Sequence, residues 1–169
     1  KLVGIKLCQA FNNQYGTNFI IVIPPSLYGP NDNFISDGAH FMPAFIKRFH
    51  DAKVSGKNSV TLWGSGEPRR ELMYVDDAAE ACLKLMKEYD SSEPINIGAG
   101  YDMSIKEISE VVKEVIGFKG KIDFDTTKPD GAMRKIIDNV KSKKIGIVPK
   151  TELREGLEKT YQWFLQNFS

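Results

Sequence analysis

Apolar positions along the chain alternate between helical spacing and short continuous runs. Val3, Leu7 and Phe11 recur at the spacing of an amphipathic helix. Residues 18–23 (NFIIVI) form a β-branched run, typical of a strand buried on both faces of a parallel sheet. This order of helical and extended segments predicts an α/β fold. Further short strands are predicted at 60–63, 95–97 and 121–124.

Polar residues mark where several helices should begin. Pro43 is predicted at the first position of a helix, because its missing N–H costs nothing there. Asp76 and Thr151 are predicted as N-caps of two later helices. Ser104 and Glu107 have the spacing of a capping box, in which each side chain bonds the backbone N–H of the other.

Composition limits the classes of function. The 169 residues contain 23 Lys+Arg against 22 Asp+Glu, so the net charge of +1 weighs against nucleic-acid and membrane-surface binding. No apolar run approaches the roughly 20 residues of a membrane span. Cys8 and Cys82 lack CxxC spacing, which predicts reduced thiols in a cytoplasmic protein, without disulfide or metal site.

The chain begins inside a helical pattern. No initiating Met and no capping Ser, Thr, Asp or Asn precedes Val3. We therefore expect residue 1 to lie within a longer protein, although a frayed natural end would give the same pattern.

Two sequence features are candidates for chemistry on one side of the fold. Gly98 and Gly100 follow a predicted strand, but the third glycine of a dinucleotide loop is missing, so a turn is favoured over a phosphate loop. His40 precedes a predicted helix start, where the helix dipole disfavours a charged imidazole and suits it to acid–base work. The alternative is an ordinary surface histidine, as we predict for His50.

Basic and aromatic residues supply further candidates. Arg48 and Arg70, with Lys47 and Arg69, form a basic set that could bind a diphosphate or could be a solvated surface. Trp63 is either a core residue, which composition favours, or a platform on which a base stacks. Lys128–Gly131 (KPDG) is a turn sequence that contains Asp130.

In chain order, these features resemble one family. The strings are IPPSLYGPNDNF, HFMPA, VTLWGSGEPRRE, YVDD, KPDG and YQWF. Together they resemble the GDP-L-fucose synthases, a family of extended short-chain dehydrogenase/reductases. The resemblance spans the chain and departs at Pro25-Ser26, where the family more often has Thr-Asn.

The resemblance implies an architecture. The chain would be the C-terminal part of an extended reductase, with a Rossmann-like doubly wound sheet and a smaller α/β substrate-binding domain. Residues 1–25 would be the last helix and strand of a truncated cofactor domain. Residues 26–169 would be mostly substrate-binding domain, with about 76–100 returning to the cofactor-domain sheet. The family also implies a homodimer through the first helix.

The resemblance implies a reaction as well: 3,5-epimerisation and then 4-keto reduction of GDP-4-keto-6-deoxy-D-mannose with NADP(H). His40 would be the epimerisation acid and Lys1 the catalytic lysine. NADP(H) binding would involve Lys1, Pro24, Pro25, Ser26, Leu27 and His40. The GDP-sugar substrate would contact Arg48, Trp63, Arg70 and Asp130. Neither a metal, a nucleic acid nor a membrane is expected to bind.

Other hypotheses remain open. A sister nucleotide-sugar epimerase or dehydratase, or a GDP-colitose-type synthase, would carry the same motifs. By the resemblance, the catalytic tyrosine and cysteine and the glycine-rich phosphate loop would lie upstream of residue 1. Residues 1–169 alone are therefore expected to be inactive and not to bind NADPH, which leaves a non-catalytic GDP-sugar-binding fragment as the third hypothesis.

Overall fold

A computed structural model describes residues 1–35 and 38–168. Its described helices are α1 Leu2–Tyr15, α2 Phe41–Val54, α3 Val75–Glu88, α4 Ile105–Ile116, α5 Val140–Lys144 and α6 Leu153–Phe168. Its described strands are β1 Val22–Ile23, β2 Ser26–Tyr28, β3 Ser59–Trp63, β4 Arg69–Arg70, β5 Leu72–Tyr74, β6 Ile95–Asn96, β7 Met103–Ser104, β8 Lys121–Asp125 and β9 Arg134–Lys135.

Parallel pairing dominates these strands. β1 pairs with β6, β2 with β5 and β3 with β8, all in parallel. β4 lies between antiparallel β7 and parallel β9. Parallel neighbours need crossover connections, and helices provide them here, so the α/β prediction is confirmed.

Two hydrophobic clusters hold the chain together. The larger one joins α2, α4 and α6 to β3, with Phe49, Leu62, Ile108 and Leu157 fully buried in it. The smaller one surrounds β1, β6 and α3. Through the β1–β6 pairing, Ile95 and Asn96 lie beside Val22 and Ile23.

The last helix is joined to an early strand through Tyr28. Its ring is buried in the larger cluster, and its hydroxyl donates to the Leu153 carbonyl at 3.4 Å. Gly156 makes room for this ring, because a Cβ there would lie 2.3 Å from the Tyr28 hydroxyl oxygen. Burial raises the pKa of Tyr28. The start of α6 is thereby fixed over β2.

The predicted helix starts are partly right. The capping box is confirmed: Glu107 N–H donates to Ser104 Oγ at 3.1 Å, and Ser104 N–H donates to Glu107 Oε2 at 2.7 Å. Pro43 is the third residue of α2 rather than the first. Asp76 is not an N-cap but lies in the first turn of α3, where the helix dipole also favours a carboxylate. Thr151 does not cap α6; it binds Asp77 through its N–H and hydroxyl.

Two local expectations are wrong and one strand was not predicted, because long-range contacts decide these features. The apolar run at 18–23 gives only the two-residue strand β1, and Phe19 is largely exposed. Residues 26–28, for which no strand was predicted, form β2 because β5 offers a parallel partner. His50, expected at the surface, is half-buried, with Nδ1 3.0 Å from the Tyr161 hydroxyl.

The first helix is attached by polar contacts. Gln9 Nε2 donates to the Ser92 carbonyl at 3.1 Å, and Asn12 Nδ2 donates to Ser92 Oγ at 2.9 Å. No residue of α1 is buried. Four of its exposed apolar residues, here called the α1 stripe, are Leu2, Val3, Leu7 and Phe11.

Among the described residues, no helix has the length and apolar character needed to cross a bilayer.

Candidate functional site

A cavity of about 890 Å³ lies beside β1, β2 and the start of α2. We call it the His40 cavity. It sits where parallel β1 ends, which is where open α/β sheets commonly bind ligands. All the residues predicted to bind the cofactor line this cavity, namely Lys1, Pro24, Pro25, Ser26, Leu27 and His40. Arg70, which was predicted to bind the substrate, lines it as well.

His40 is held at the N-terminus of α2 by its own backbone. It is the N-cap residue, and its carbonyl accepts the first helical hydrogen bond from Ala44 N–H at 3.2 Å. Its side chain makes no capping bond and remains exposed at the cavity wall. The imidazole is therefore available to a ligand rather than committed to the helix.

Positive charge collects in the His40 cavity. Lys1, Arg70 and Lys135 all line it, and none of the described residues that line it is acidic. Arg70 is positioned by two carbonyls: its Nη1 donates to Ala132 at 2.7 Å and to Arg69 at 2.8 Å. An unneutralised set of cations on a partly apolar wall suits a phosphate-bearing ligand.

Lys135 was missed by the sequence analysis. It reaches the cavity because β9 pairs in parallel with β4, with Lys135 opposite Arg70. Its only local signal was the basic pair Arg134-Lys135 shortly after the KPDG turn.

The predicted basic set is divided by the structure. Arg69 Nε donates to Asp102 Oδ1 at 2.8 Å, and Arg134 Nε donates to Asp102 Oδ2 at 2.5 Å. Both bonds hold the pKa of the Asp102 carboxyl below its ordinary value, and the bond from Arg134 has the larger effect. Arg69 thus joins β4 to the loop before β7 rather than facing a ligand.

Arg48 lies in a different cavity from Arg70. Its Nη1 donates to the Thr61 carbonyl at 2.9 Å, and it lines an open cavity of about 570 Å³ between α2 and β3. We call this the α2–β3 cavity. Arg48 follows His40 by two helical turns, so the two predicted residues belong to neighbouring parts of one helix face.

Trp63 is not a core residue. Val60 and Leu62 of β3 are buried, so the strand alternation turns Thr61 and Trp63 outward, and Trp63 is 70% exposed. Lys128 Nζ lies 5.9 Å from the centre of its ring. The exposed indole at the end of β3 is therefore free to stack on a ligand.

Asp130 fastens two loops beside Trp63. Its Oδ1 accepts from Ser65 N–H at 2.8 Å and its Oδ2 from Ser65 Oγ at 2.7 Å, which lowers the pKa of Asp130. Position 64 requires glycine, because a Cβ there would lie 2.3 Å from Asp130 Oδ1. Both carboxylate oxygens are thus engaged within the protein.

The Gly98–Gly100 segment forms a turn around a buried carboxylate. Gly100 N–H donates to Glu71 Oε1 at 2.8 Å, and Ile137 N–H donates to Glu71 Oε2 at 2.9 Å. A Cβ on Gly98 would lie 2.4 Å from Glu71 Oε1. The turn interpretation is right, and Glu71, which sequence reasoning missed, is the anchor that organises it.

The described residues contain no group of three or more His, Cys, Asp or Glu arranged to hold a metal ion.

Parallel strands joined by helices, with a cation-lined cavity at the end of β1, are typical of nucleotide-binding α/β proteins, and comparison identifies the family. The NAD dependent epimerase/dehydratase family matches residues 1–98. The chain belongs to this family.

Individual relatives narrow the similarity. The chain is 49% identical over 167 residues to GDP-L-fucose synthase 1 of Arabidopsis thaliana, covering 99% of this chain and 52% of that protein. It is 36% identical over 167 residues to GDP-L-colitose synthase of Yersinia pseudotuberculosis, covering 98% and 54%. A GDP-L-fucose synthetase from Naegleria fowleri bound to NADP superimposes with a TM-score of 0.93 at 31% identity, covering 99% and 55%. The chain spans about half the length of the curated relatives it matches.

Proposed function

We propose that the polypeptide containing this chain makes GDP-L-fucose from GDP-4-keto-6-deoxy-D-mannose by 3,5-epimerisation and NADPH-dependent reduction. The observation that carries the proposal is the His40 cavity, in which a histidine at a helix N-terminus lies beside the cations Lys1, Arg70 and Lys135. The 49% identity to a plant GDP-L-fucose synthase supports it.

The chain's own residues fit NADP(H) by the chemistry of the donor set. Within the described part of the chain, three cations and no carboxylate line the His40 cavity, and the largely apolar segment from Ile21 to Leu27 also lines it, which suits a flat ring. Lys1 and residues 24–27, with His40, would hold the cofactor. When bound, NADPH supplies the hydride for reduction of the C4 ketone.

His40 moves a proton in the epimerisation. The C4 ketone acidifies the hydrogens on C3 and C5, so that a base can take a proton from one face of the carbon and an acid can deliver its own proton to the opposite face. His40 would be this acid, because its exposed imidazole lies at the cavity wall without a capping bond. Lys1, which also lines the cavity, would contribute positive charge near the developing oxyanion.

Substrate binding would use groups away from the reacting carbons. Arg70 would bind the diphosphate with paired donors, and Arg48 and Trp63 would contact the nucleotide further along α2 and β3. We assign Asp130 a supporting place in this subsite, since it fixes the turn that follows Trp63.

We also propose the division into units that the sequence suggested. Residues 1–25 with about 76–100 would form the cofactor unit, supported by the β1–β6 pairing and the smaller hydrophobic cluster. Residues 26–169 otherwise would form the substrate unit, supported by the larger cluster. A cytoplasmic location fits the two free cysteines, and the near-neutral net charge offers no argument for nucleic-acid or membrane partners.

The test separates chemistry from binding in the complete polypeptide. His40→Gln should slow solvent-deuterium incorporation at C3 and C5 by ~10²–10⁴ while leaving GDP affinity nearly unchanged. Arg70→Ala should instead weaken GDP binding and raise KM, because a diphosphate contact is present in ground and transition states alike. Wild-type exchange rates in His40→Gln would refute the acid assignment.

A GDP-colitose-type activity is the second candidate, favoured by the 36% identity to a colitose synthase. Supplying the purified enzyme with the 4-keto-6-deoxy and 4-keto-3,6-dideoxy GDP-sugars side by side decides between the two. A higher kcat/KM for the dideoxy sugar would overturn the fucose assignment.

We further propose a homodimer that buries the α1 stripe. Leu2, Val3, Leu7 and Phe11 are exposed on one helix that has no buried residue, and such stripes are commonly covered by a partner. Leu7→Lys should shift the complete polypeptide from dimer to monomer in light scattering. Lys6→Glu on the same helix serves as a control, and a wild-type monomer at micromolar concentration would exclude the dimer.

A further inference from the structure

The α2–β3 cavity holds an ion pair that the proposed chemistry does not use. Lys47 Nζ and Asp51 Oδ2 lie 2.6 Å apart, and both side chains are about half exposed, at 44% and 54%. Both residues line the cavity, together with Arg48. Asp51 is the only carboxylate among the described residues that line it.

One face of α2 connects this pair to the His40 cavity. Lys47 and Arg48 lie three and four residues after Ala44, and Asp51 lies four and three residues after them, and all four line the α2–β3 cavity. His40 lies one turn before Ala44, so His40 and Asp51 are separated by about 16 Å along the helix. That length suits a ligand with a reacting sugar at one end, phosphates in the middle and a base at the other.

The walls around the pair suit a flat ring. Ala44, Ala52 and Val60 contribute small apolar surface from α2 and β3. The cavity is open to solvent on one side, so a base could enter edge first and meet the ion pair.

We propose that Lys47 and Asp51 read the guanine base of the GDP-sugar. The Watson–Crick edge of guanine offers the O6 acceptor beside the N1–H and N2–H donors. An ammonium next to a carboxylate presents the complementary order: Lys47 donates to O6, and Asp51 accepts from N1–H and N2–H. Asp51 retains lone pairs for this while bound to Lys47, because each carboxylate oxygen accepts more than one hydrogen bond.

The same pair discriminates against other bases. Adenine has a donor where guanine has O6 and an acceptor where guanine has N1–H, so each position would oppose a like group. Hypoxanthine keeps O6 and N1–H but lacks the N2 amine, so it loses one bond to Asp51. A polar site rejects such analogues more strongly than an apolar pocket can.

This inference rests on the proposed function, because it takes the nucleotide to be GDP. The experiment is calorimetric titration of the complete polypeptide with GDP, IDP and ADP. Wild type should bind GDP on the order of tenfold more tightly than IDP, and ADP more weakly still.

The decisive quantity is the ratio of GDP to IDP affinity. In Asp51→Asn this ratio should fall toward one, since the bond to the N2 amine is weakened, and Lys47→Gln should weaken both nucleotides through O6. Glu88→Gln is the matched control, because Glu88 forms a similar exposed i,i+4 pair with Lys84 on α3; it should leave the ratio unchanged.

The outcomes separate the two proposals. An unchanged GDP/IDP ratio in Asp51→Asn, or an equal loss for both nucleotides, would overturn the base-reading assignment while leaving GDP-sugar binding in place. A wild-type protein that binds none of the guanine nucleotides would overturn the proposed function itself.

Discussion

Glu71 offers a direct test of how the two loops that contain Gly100 and Ile137 are held. This residue is 1% exposed, and its carboxylate accepts N–H bonds from Gly100 and Ile137. Replacing Glu71 with Ala removes both acceptors and leaves two N–H groups in a nearly water-free place. Replacing it with Gln keeps one acceptor oxygen and turns an amide N–H toward a backbone N–H.

The size of the effect follows from these contacts. A buried group that loses its partner costs about 1–3 kcal/mol. Glu71→Gln orphans one donor and should lower the free energy of unfolding by about 2 kcal/mol. Glu71→Ala orphans two and should lower it by about 4 kcal/mol, a large part of the stability of an ordinary domain.

Urea denaturation followed by circular dichroism measures both values. The midpoint should move while the slope m stays constant, because the native surface area hardly changes. Glu67→Gln is the matched control: Glu67 is exposed on the neighbouring turn and should stay within ~0.5 kcal/mol of wild type. If Glu71→Gln also stayed within that margin, the carboxylate would not be what holds the two loops.

Two further predictions concern the turn after Trp63. Because Ser65 lowers the pKa of the Asp130 carboxyl, the ionised carboxylate stabilises the fold above pH 3.8, and this stabilisation is lost as the pH falls through the lowered pKa. In Asp130→Asn, the free energy of unfolding should therefore fall less steeply at acid pH than in wild type. An unchanged acid dependence would contradict this prediction. Gly66 has φ +80°, and a Cβ there would lie 2.6 Å from Phe124 Cε1. Gly66→Ala should therefore lower the free energy of unfolding by about 2 kcal/mol. The control is Gly4→Ala, in open space within α1, which should leave the stability unchanged or raise it. Equal melting temperatures for the two variants would contradict the predicted clash at residue 66.

The sequence predicted those features that depend on contacts between neighbouring residues. The capping box at Ser104 and Glu107 was readable because both partners lie within one helical turn. The grouping of Lys1, residues 24–27 and His40 followed from the family resemblance rather than from any spacing, and the structure brings those residues to one cavity.

Long-range contacts account for what the sequence did not reveal. β2 exists because β5, more than forty residues later, pairs with it. Arg69 and Arg70 are adjacent, yet their strand sends one to Asp102 and the other to the cavity. For Trp63, hydrophobicity alone favoured the core, but the alternation of β3 turns the side chain outward, where the substrate contact implied by the resemblance requires it.

The bond between Tyr28 and Leu153 has a consequence for folding. It joins residues 125 positions apart, and the Gly156 notch that admits the Tyr28 ring belongs to the last helix. Such distant contacts are slow to form, because closing the intervening loop costs entropy before any contact repays it. During synthesis, β2 would therefore emerge long before its partner helix, leaving the Tyr28 ring uncovered until the ribosome has delivered residue 156. Ribosomes that stall within that interval would hold a chain whose exposed aromatic surface invites chaperone binding.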